Sequence, residues 1–293
     1  RAMFEQKSIR CAINPETGQE LIYPTEPAAI RRNVWVVGGG PGGLTAAYEA
    51  ARLGHKVTLF EKESEIGGQI RYAAQAPYKE AYGEWIRRLA SKAVKLGAEI
   101  KTGTQVTDEM IIENKPEVVI LATGGAEIIP PIDGIDLPHV VTALQVLGGE
   151  VAVGQNIVII GAGLIGMETA DYAVARGCQS VTLVEQKPKS PVTKASSHGY
   201  MLHKRLRNAG SQQIFGAEVV RIDNNSVTIR VQDAEQTLVP VDQVVIAVGM
   251  NPAADLVWTL KEQGIRHWVV GDAVKPRRII EATEEGARAA WEI

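Results

Sequence analysis

The sequence has 293 residues, 45% hydrophobic and 22% charged, a balance near that of soluble globular proteins that excludes a disordered chain, a collagen-like repeat and a disulfide-rich mini-protein. A net charge of -3 offers no field for a polyanion, so no nucleic-acid partner is expected. No apolar run reaches the roughly 18 residues of a membrane helix, so no membrane partner is expected either.

The length suggests two domains. The 29 glycines exceed the usual share of about 7%, and aromatics are only 5%, which points to tight backbone turns rather than a stacking surface. Cys11 and Cys178 are far apart in sequence and form no CxxC pair, which rules out a redox dithiol and makes a disulfide unexpected. The chain opens on Arg1 rather than Met, so removal of something upstream is expected. Glu5, Lys7 and Arg10 interrupt the start and argue against a signal peptide, and the expected location is cytoplasmic.

In chain order, an irregular stretch with Pro15, Pro24 and Pro27 runs to about Arg32 and reads as an extended arm. Val34 to Val37 is a continuous apolar run, as expected of a buried parallel strand. A glycine turn follows, then an Ala-rich helix from about Gly43 to Leu53, then a strand from His55 to Glu61. Together these make one βαβ unit. Trp85, Leu89, Ala93 and Leu96 recur at helical spacing and predict an amphipathic helix over 82–96. Val118 to Leu121 predicts another buried strand. The pattern then restarts with a strand over 156–160, a second glycine turn, a helix over 166–176 and a strand over 181–185. Alternating strands over 218–238, a strand over 244–248, a strand over 268–270 and a helix from about Ile280 complete the chain. The fold class predicted is α/β, with two Rossmann-like dinucleotide-binding domains.

Gly38, Gly40 and Gly43 fit GxGxxG, with Pro41 and Gly42 between them. In that motif the first glycine permits the tight turn, the second lets backbone approach a pyrophosphate, and the third allows close helix–strand packing. The helix that follows offers free N–H groups to the phosphates. Glu61, at the end of the next strand, can accept from ribose hydroxyls, and Lys62 follows it. Gly161, Gly163 and Gly166 repeat the motif around Ile165, with Glu185 closing the following strand. A carboxylate there welcomes a 2′-hydroxyl and repels a 2′-phosphate, so NADH is favoured over NADPH. Lys187 and Lys189 nearby could soften that preference.

Two such turns in this order resemble the two-dinucleotide-binding-domain flavoproteins. The resemblance implies FAD on the first fold and NAD(P)H on a second fold inserted into the first. Ala122-Thr123-Gly124 resembles that family's crossover between domains, and Gly249 is counted with the implied cofactor-binding residues. Gly271-Asp272 resembles the late "GD" element, whose aspartate hydrogen-bonds the flavin's ribityl or pyrophosphate region. By the same resemblance the backbone of Val106 meets the adenine, the helix opening at Ile280 to Ala282 faces the flavin ring, and Glu168 lies near the nicotinamide. Arg277 and Arg278 flank that last helix and read as a solvated pair.

A narrower resemblance rests on Gly67-Gly68-Gln69 and on Cys11-Ala12-Ile13-Asn14-Pro15-Glu16-Thr17-Gly18-Gln19-Glu20. Both are similar to segments of the reductase half of 2,4-dienoyl-CoA reductase, 2-enoate reductase and trimethylamine dehydrogenase-type iron–sulfur flavoenzymes. The domains implied are residues 1–32 as a linker arm from an N-terminal TIM barrel, 33–150 with 250–293 as the FAD domain, and 151–249 as the NAD(H) domain. The barrel, as domain or subunit, is the implied partner. It would carry FMN and a [4Fe–4S] cluster, for which Cys11 would be the fourth ligand. One thiolate cannot hold a cubane cluster, which needs four, so within this sequence Cys11 also reads as a free thiol.

The activity implied is hydride transfer from NADH to FAD, with electrons passed to the barrel to reduce an enoyl or oxidise an N-methylated amine substrate. No acid/base pair is required, and none stands out. His198 and His203 read as surface or packing histidines. The competing reading is a non-catalytic platform that binds ADP in place of FAD. The complete second glycine turn favours catalysis.

Overall fold

The apolar runs build parallel sheets, and each glycine turn sits where a central strand gives way to a helix. The computed structural model describes residues 9–293, so Glu5 and Lys7 of the chain's start lie outside the described residues. In chain order the first elements are β1 (Asn33–Val37), α1 (Pro41–Arg52), β2 (Lys56–Phe60), α2 (Ile70–Ala73), α3 (Glu80–Lys95), β3 (Glu99–Lys101), α4 (Asp108–Asn114), β4 (Val118–Leu121) and β5 (Gly125–Glu127). Next come β6 (Val140–Thr142), α5 (Ala143–Gly148), β7 (Asn156–Ile160), α6 (Leu164–Ala175), β8 (Ser180–Glu185), α7 (Ser197–Asn208) and β9 (Gln212–Phe215). The chain then runs through β10 (Ala217–Asp223), β11 (Ser226–Val231), β12 (Ala234–Leu238), β13 (Gln243–Ile246), β14 (Met250–Pro252), α8 (Val257–Glu262), β15 (Arg266–Val269) and α9 (Ile279–Trp291).

These elements form two compact units. Among the described residues, one holds 9–71, Ala81–Ala126 and Asn251–Ile293; the other holds Tyr72–Glu80 and Glu127–Met250. The second is thus inserted in the sequence of the first. In the first unit five parallel strands lie in the order β15-β4-β1-β2-β3. Chain order reverses on either side of β1, which opens a crevice at the carboxyl ends of β1 and β4, where doubly wound sheets bind ligands. Val34, Val36, Leu44, Ala47, Ala50, Leu59 and Ile120 form the core on one face. The alanines of α1 let α9 approach closely. A Cβ on Gly286 would stand 2.2 Å from the Gly42 carbonyl oxygen, so only glycine fits there.

The arm differs from the extended stretch expected. Residues 14–23 are wound in successive turns, with Gln19 N–H on the Glu16 carbonyl at 2.7 Å and Tyr23 N–H on the Gln19 carbonyl at 2.8 Å. Anchors explain this. Tyr23 meets Trp291 edge-on with centroids 5.4 Å apart, and the Arg52 guanidinium lies 4.3 Å from the Tyr23 ring centroid. Arg10 pairs with Glu281 and Glu284 of α9.

In the second unit the parallel order is β6-β13-β7-β8-β9, with β10-β11-β12 as an antiparallel meander. Ile157, Ile159, Met167, Leu183, Leu202, Leu206 and Val245 fill its core. The unit begins well before residue 151. Val140 to Thr142 pair with Val244 to Ile246, and Ala143, Val146 and Leu147 of α5 are buried in the same core. Residues 127–150 therefore contribute a sheet edge and a covering helix to this unit. Tyr72–Glu80 also belongs to it: Tyr72 packs against its core, and the Arg205 guanidinium sits 4.9 Å from the Tyr78 ring centroid.

Candidate functional site

In the first glycine turn, Gly38 has φ +111°, and a Cβ there would stand 2.2 Å from the Ala122 carbonyl oxygen. A Cβ on Gly43 would stand 1.9 Å from the Gly38 oxygen. Both sites admit only hydrogen. Gly40 differs, because nothing lies within 4 Å of where its Cβ would be. It faces open space as the N-cap of α1, and no side chain caps that helix. The first-turn N–H groups, with the positive end of the helix dipole, are therefore available to an anion. Pro41 at N1 withholds no needed donor.

Glu61 is buried and braces this turn. Its Oε2 accepts from Gly39 N–H at 2.7 Å and its Oε1 from Glu63 N–H at 2.9 Å. Lys62 points outward beside Glu63. The Gly67-Gly68-Gln69 element folds over the turn, with Gly67 N–H on the Gly39 carbonyl at 2.8 Å. Across 203 positions of sequence, Gln69 Nε2 reaches Asp272 Oδ2 at 3.4 Å. Asp272 Oδ1 accepts from Arg277 N–H at 2.9 Å. Burial holds the Asp272 carboxyl above the usual aspartate range, against the pull of the Arg277 backbone N–H. Gly271 N–H donates to Glu285 Oε2 at 2.8 Å. The first turn of α9 closes the ring, since Ala282 lies against both Gly42 and Gly271. Thr123 hydrogen-bonds the Ala253 carbonyl, and Gly124 O accepts from Ala253 N–H at 3.1 Å. Val106 is buried, and among the described residues its N–H makes no hydrogen bond. The first unit thus gathers Gly38 to Gly43, Glu61, Gly68, Gln69, Ala122 to Gly124, Gly271, Asp272 and Ala282.

Arg278 is exposed as expected, whereas the Arg277 side chain is only 30% exposed, and both make ion pairs. Arg277 Nη2 binds Glu285 Oε1 at 2.6 Å, and Arg278 binds Glu281 within the capping turn of α9. Their acidic partners lie on the helix that follows, one and two turns away.

The second turn repeats the first. Gly161 has φ +102° with Ala247 O at 2.4 Å from a would-be Cβ, Gly166 sits as tightly on Gly161 O at 2.0 Å, and Gly163 faces open space. Glu185 Oε2 accepts from Ala162 N–H at 2.9 Å and Oε1 from Lys187 N–H at 3.0 Å. Ile165 is half-buried on the first turn of α6, its carbonyl accepting from Thr169 Oγ1 at 2.9 Å. Gly249 lies at the end of this unit, its carbonyl accepting from Ile128 N–H at 3.0 Å.

Beside this turn lies a group that sequence reasoning missed in part. Glu168 is buried on α6; its Oε1 takes an ion pair from Lys79 and a hydrogen bond from His198 Nε2 at 3.1 Å. His198 is therefore not a plain surface residue. No sequence spacing links Lys79, Glu168 and His198, so only the fold could reveal them. His203 is buried against the Val192 carbonyl at 2.9 Å, a packing role.

The arm brings Cys11 to the first unit, where the Ala12 carbonyl accepts from Thr283 Oγ1 of α9 at 3.1 Å. Among the described residues, no three His, Cys, Asp or Glu side chains gather as a metal site. Likewise, no helix among them is long and apolar enough to cross a membrane.

Paired parallel sheets, each with an uncapped helix facing a glycine turn, define a protein built to hold two dinucleotides. The chain belongs to the pyridine nucleotide-disulphide oxidoreductase family, matching it over residues 32–272. That membership implies binding of FAD and NAD(P)H. The chain is 34% identical over 298 residues to an NADH oxidase of Thermoanaerobacter brockii, covering 99% of this chain and 46% of that one. It is also 34% identical to a bilirubin reductase of Mediterraneibacter gnavus, over 99% of this chain and 45% of that one. The solved structure of a 2-naphthoyl-CoA reductase superposes with a TM-score of 0.92 at 29% identity, covering 100% of this chain and 44% of that one. The chain spans about half the length of the curated relatives it matches. It corresponds to the FAD/NAD(P)H half of 2,4-dienoyl-CoA reductase-type enzymes.

Proposed function

We propose that this chain is the electron-input half of a larger flavoenzyme, with FAD held by the first unit and NADH by the second. The observation that carries the proposal is the repetition. Both units present an uncapped helix N-terminus at an open glycine, and both brace the turn with a buried glutamate. When bound, NADH supplies a hydride and FAD accepts it and can release electrons one at a time. The chain's own work is binding and orientation. The N–H groups of α1 and α6 take the pyrophosphates, Glu61 and Glu185 face the riboses, and the Val106 backbone takes the adenine. Gln69, Asp272 and the opening turn of α9 line the flavin side. Glu185 keeps both oxygens on backbone N–H groups beside the turn, and an acidic side chain facing the ribose there favours NADH over NADPH.

The relatives support an onward path. The names of the bilirubin reductase, a cinnamate reductase of Clostridium sporogenes and the 2-naphthoyl-CoA reductase denote reduction of conjugated substrates. We extend this to electron transfer into an FMN and iron–sulfur barrel that reduces an enoyl substrate, with Cys11 on the arm as one of four cluster ligands.

The test is a spectrum. Protein purified or reconstituted with FAD should show the oxidised flavin band, and anaerobic NADH should bleach it rapidly. A colourless protein that retains ADP and refuses FAD would sink the proposal in favour of a nucleotide-bound platform.

A further inference from the structure

The basic side chains of α7 sort onto two faces. Arg205 turns toward α6 and forks onto Asp171. Tyr200 stands three and four residues before His203 and Lys204, and Arg207 follows these at the same spacings, so the four share another stripe of the helix. After α7 the chain doubles back, with Ser211 N–H on the Leu206 carbonyl at 3.0 Å, and enters β9, the edge strand of the parallel sheet. Ser211, just ahead of that strand, and Gln213 fall on one side of it. They meet the α7 stripe across a cleft of about 240 Å³, and Lys194 joins them from the loop before α7.

Lys194, Lys204 and Arg207 bring three positive charges to this cleft, and no aspartate or glutamate lines it. Among the described residues, none of the three makes an ion pair or a side-chain hydrogen bond. The excess is local, since the chain as a whole carries a net charge of -3. A concave surface lined by one sign of charge concentrates its counter-ion. The floor is firm. His203 is 8% exposed, with Nε2 held on the Val192 carbonyl at 2.9 Å. Ser211 Oγ is covered from solvent and has no hydrogen-bond partner among the described residues. A covered hydroxyl without a partner costs free energy. One χ1 rotation turns it from the wall into the cleft, where an oxyanion would accept from it.

Two lysine point charges and an arginine fork suit a compact dianion with several oxygens, which is the chemistry of a phosphate. The cleft exceeds the ~150 Å³ that admits a benzene, so a phosphate fits together with a small organic group. Its place in the sheet sets it apart from the second glycine turn. Gln213 pairs with Leu183 and Phe215 with Glu185. At a rise of about 3.3 Å per residue, Ser211 lies roughly 13 Å short of the level of Glu185.

We infer that this cleft is an anion seat in its own right and takes a phosphomonoester dianion. Lys194, Lys204 and Arg207 carry its charge, and Ser211 supplies a directed hydrogen bond. The inference does not depend on the second glycine turn being the NADH site.

The experiment titrates FAD-loaded protein calorimetrically with inorganic phosphate and, separately, with glycerol 2-phosphate, at constant pH and with ionic strength held by chloride. One saturable site per chain is expected, and the tighter of the two probes tells a free ion from an ester. The double variant Lys204→Gln with Arg207→Gln should keep its FAD and raise Kd roughly tenfold or more. Ser211→Ala should raise it about threefold. Absence of saturable binding in the unaltered protein overturns the proposal. So does a double variant whose Tm falls while Kd is unchanged, because the two cations would then serve only the C-terminal end of the helix dipole. Displacement of phosphate by NAD⁺ overturns it as well, since that would put the anion at the glycine turn. If the double variant does not fold, Lys194→Gln leaves α7 intact. It should raise Kd about threefold, and an unchanged Kd there overturns the proposal equally.

Discussion

The two glycine turns are near copies, yet the helices behind them diverge. With Gly43 and Gly166 taken as equivalent, Thr45 of α1 falls opposite Glu168 of α6, and both are buried. Behind Thr45 the first unit packs small residues, so that Gly42 and Gly286 bring α1 and α9 into backbone contact. Behind Glu168 the second unit places charge. Lys79 and His198 meet Glu168, and Arg205 forks onto Asp171 with Nη2 at 2.6 Å from Oδ2. Buried charge is costly unless paired, and here each acid has its base. The same turn chemistry thus serves two tasks. In the proposed complexes the first unit would hold FAD against closely packed backbone, and the second would seat NADH beside buried charge.

The sharpest way to break the likeness is within the first turn itself. Gly43→Ala forces a Cβ to 1.9 Å from a carbonyl oxygen, so the β1–α1 junction must open. We expect the largest effect of all, a loss of roughly 3 kcal/mol or more in the folding stability of the protein, seen as a large fall in Tm. Gly40→Val meets no protein atom and has an ordinary φ of -78°. The apoprotein should keep its Tm within a few degrees while FAD binding is lost, because the side chain fills the pyrophosphate's approach. Flavin retained at full stoichiometry in Gly40→Val would show that the first turn is not the FAD site. The same substitution at Gly163 should leave FAD in place and abolish reduction by NADH, which separates the two seats.

How much of this was legible beforehand follows the range of the interactions. The strands over 118–121 and 156–160 read directly, because a strand buried on both faces must be continuously apolar. The glycine turns and their terminal acids read directly too, because their geometry is set within a single βαβ unit. The boundary at 126/127 did not, because β6 is three residues long and gains its place only by pairing with β13, a hundred residues on. The turned arm was hidden for the same reason, since its anchors Arg52, Glu284 and Trp291 lie far along the chain. Gln69 with Asp272, and Lys79 with Glu168, are side-chain meetings that no local period encodes.

A middle-sized effect tests whether the two bracing glutamates are equivalent. Each holds two backbone N–H groups and each faces a ribose in the proposed complexes. Glu185→Ala should raise the KM for NADH about tenfold, equal to about 1.4 kcal/mol, and should narrow the gap between NADH and NADPH. Glu61→Ala should instead show as loss of FAD and a lower Tm, with no change in nucleotide preference among the molecules that keep flavin. Unaltered kinetics for both nucleotides in Glu185→Ala would show that this carboxylate braces its turn without reaching the ribose.

The smallest effect concerns the first unit alone and comes from His55, which precedes β2. It is 5% exposed, and its Nδ1 accepts from Arg32 N–H at 3.3 Å. Burial and then the Arg32 charge lower its pKa below the ordinary 6.5, because the protonated ring would lose both water and its acceptor role. The unfolded chain therefore binds a proton at His55 before the folded chain does. Above pH about 6.5 neither state is charged there and the full stability is present. As the pH falls through 6.5 toward the folded value, the unfolded state gains and Tm drops. Below the folded value both states are protonated and this contribution to the slope ends. His55→Asn retains an acceptor for Arg32 N–H and cannot titrate, so it should flatten the Tm-versus-pH curve over that window. If His55→Asn leaves the slope intact instead, the acid sensitivity arises elsewhere and the His55 ring is merely packed.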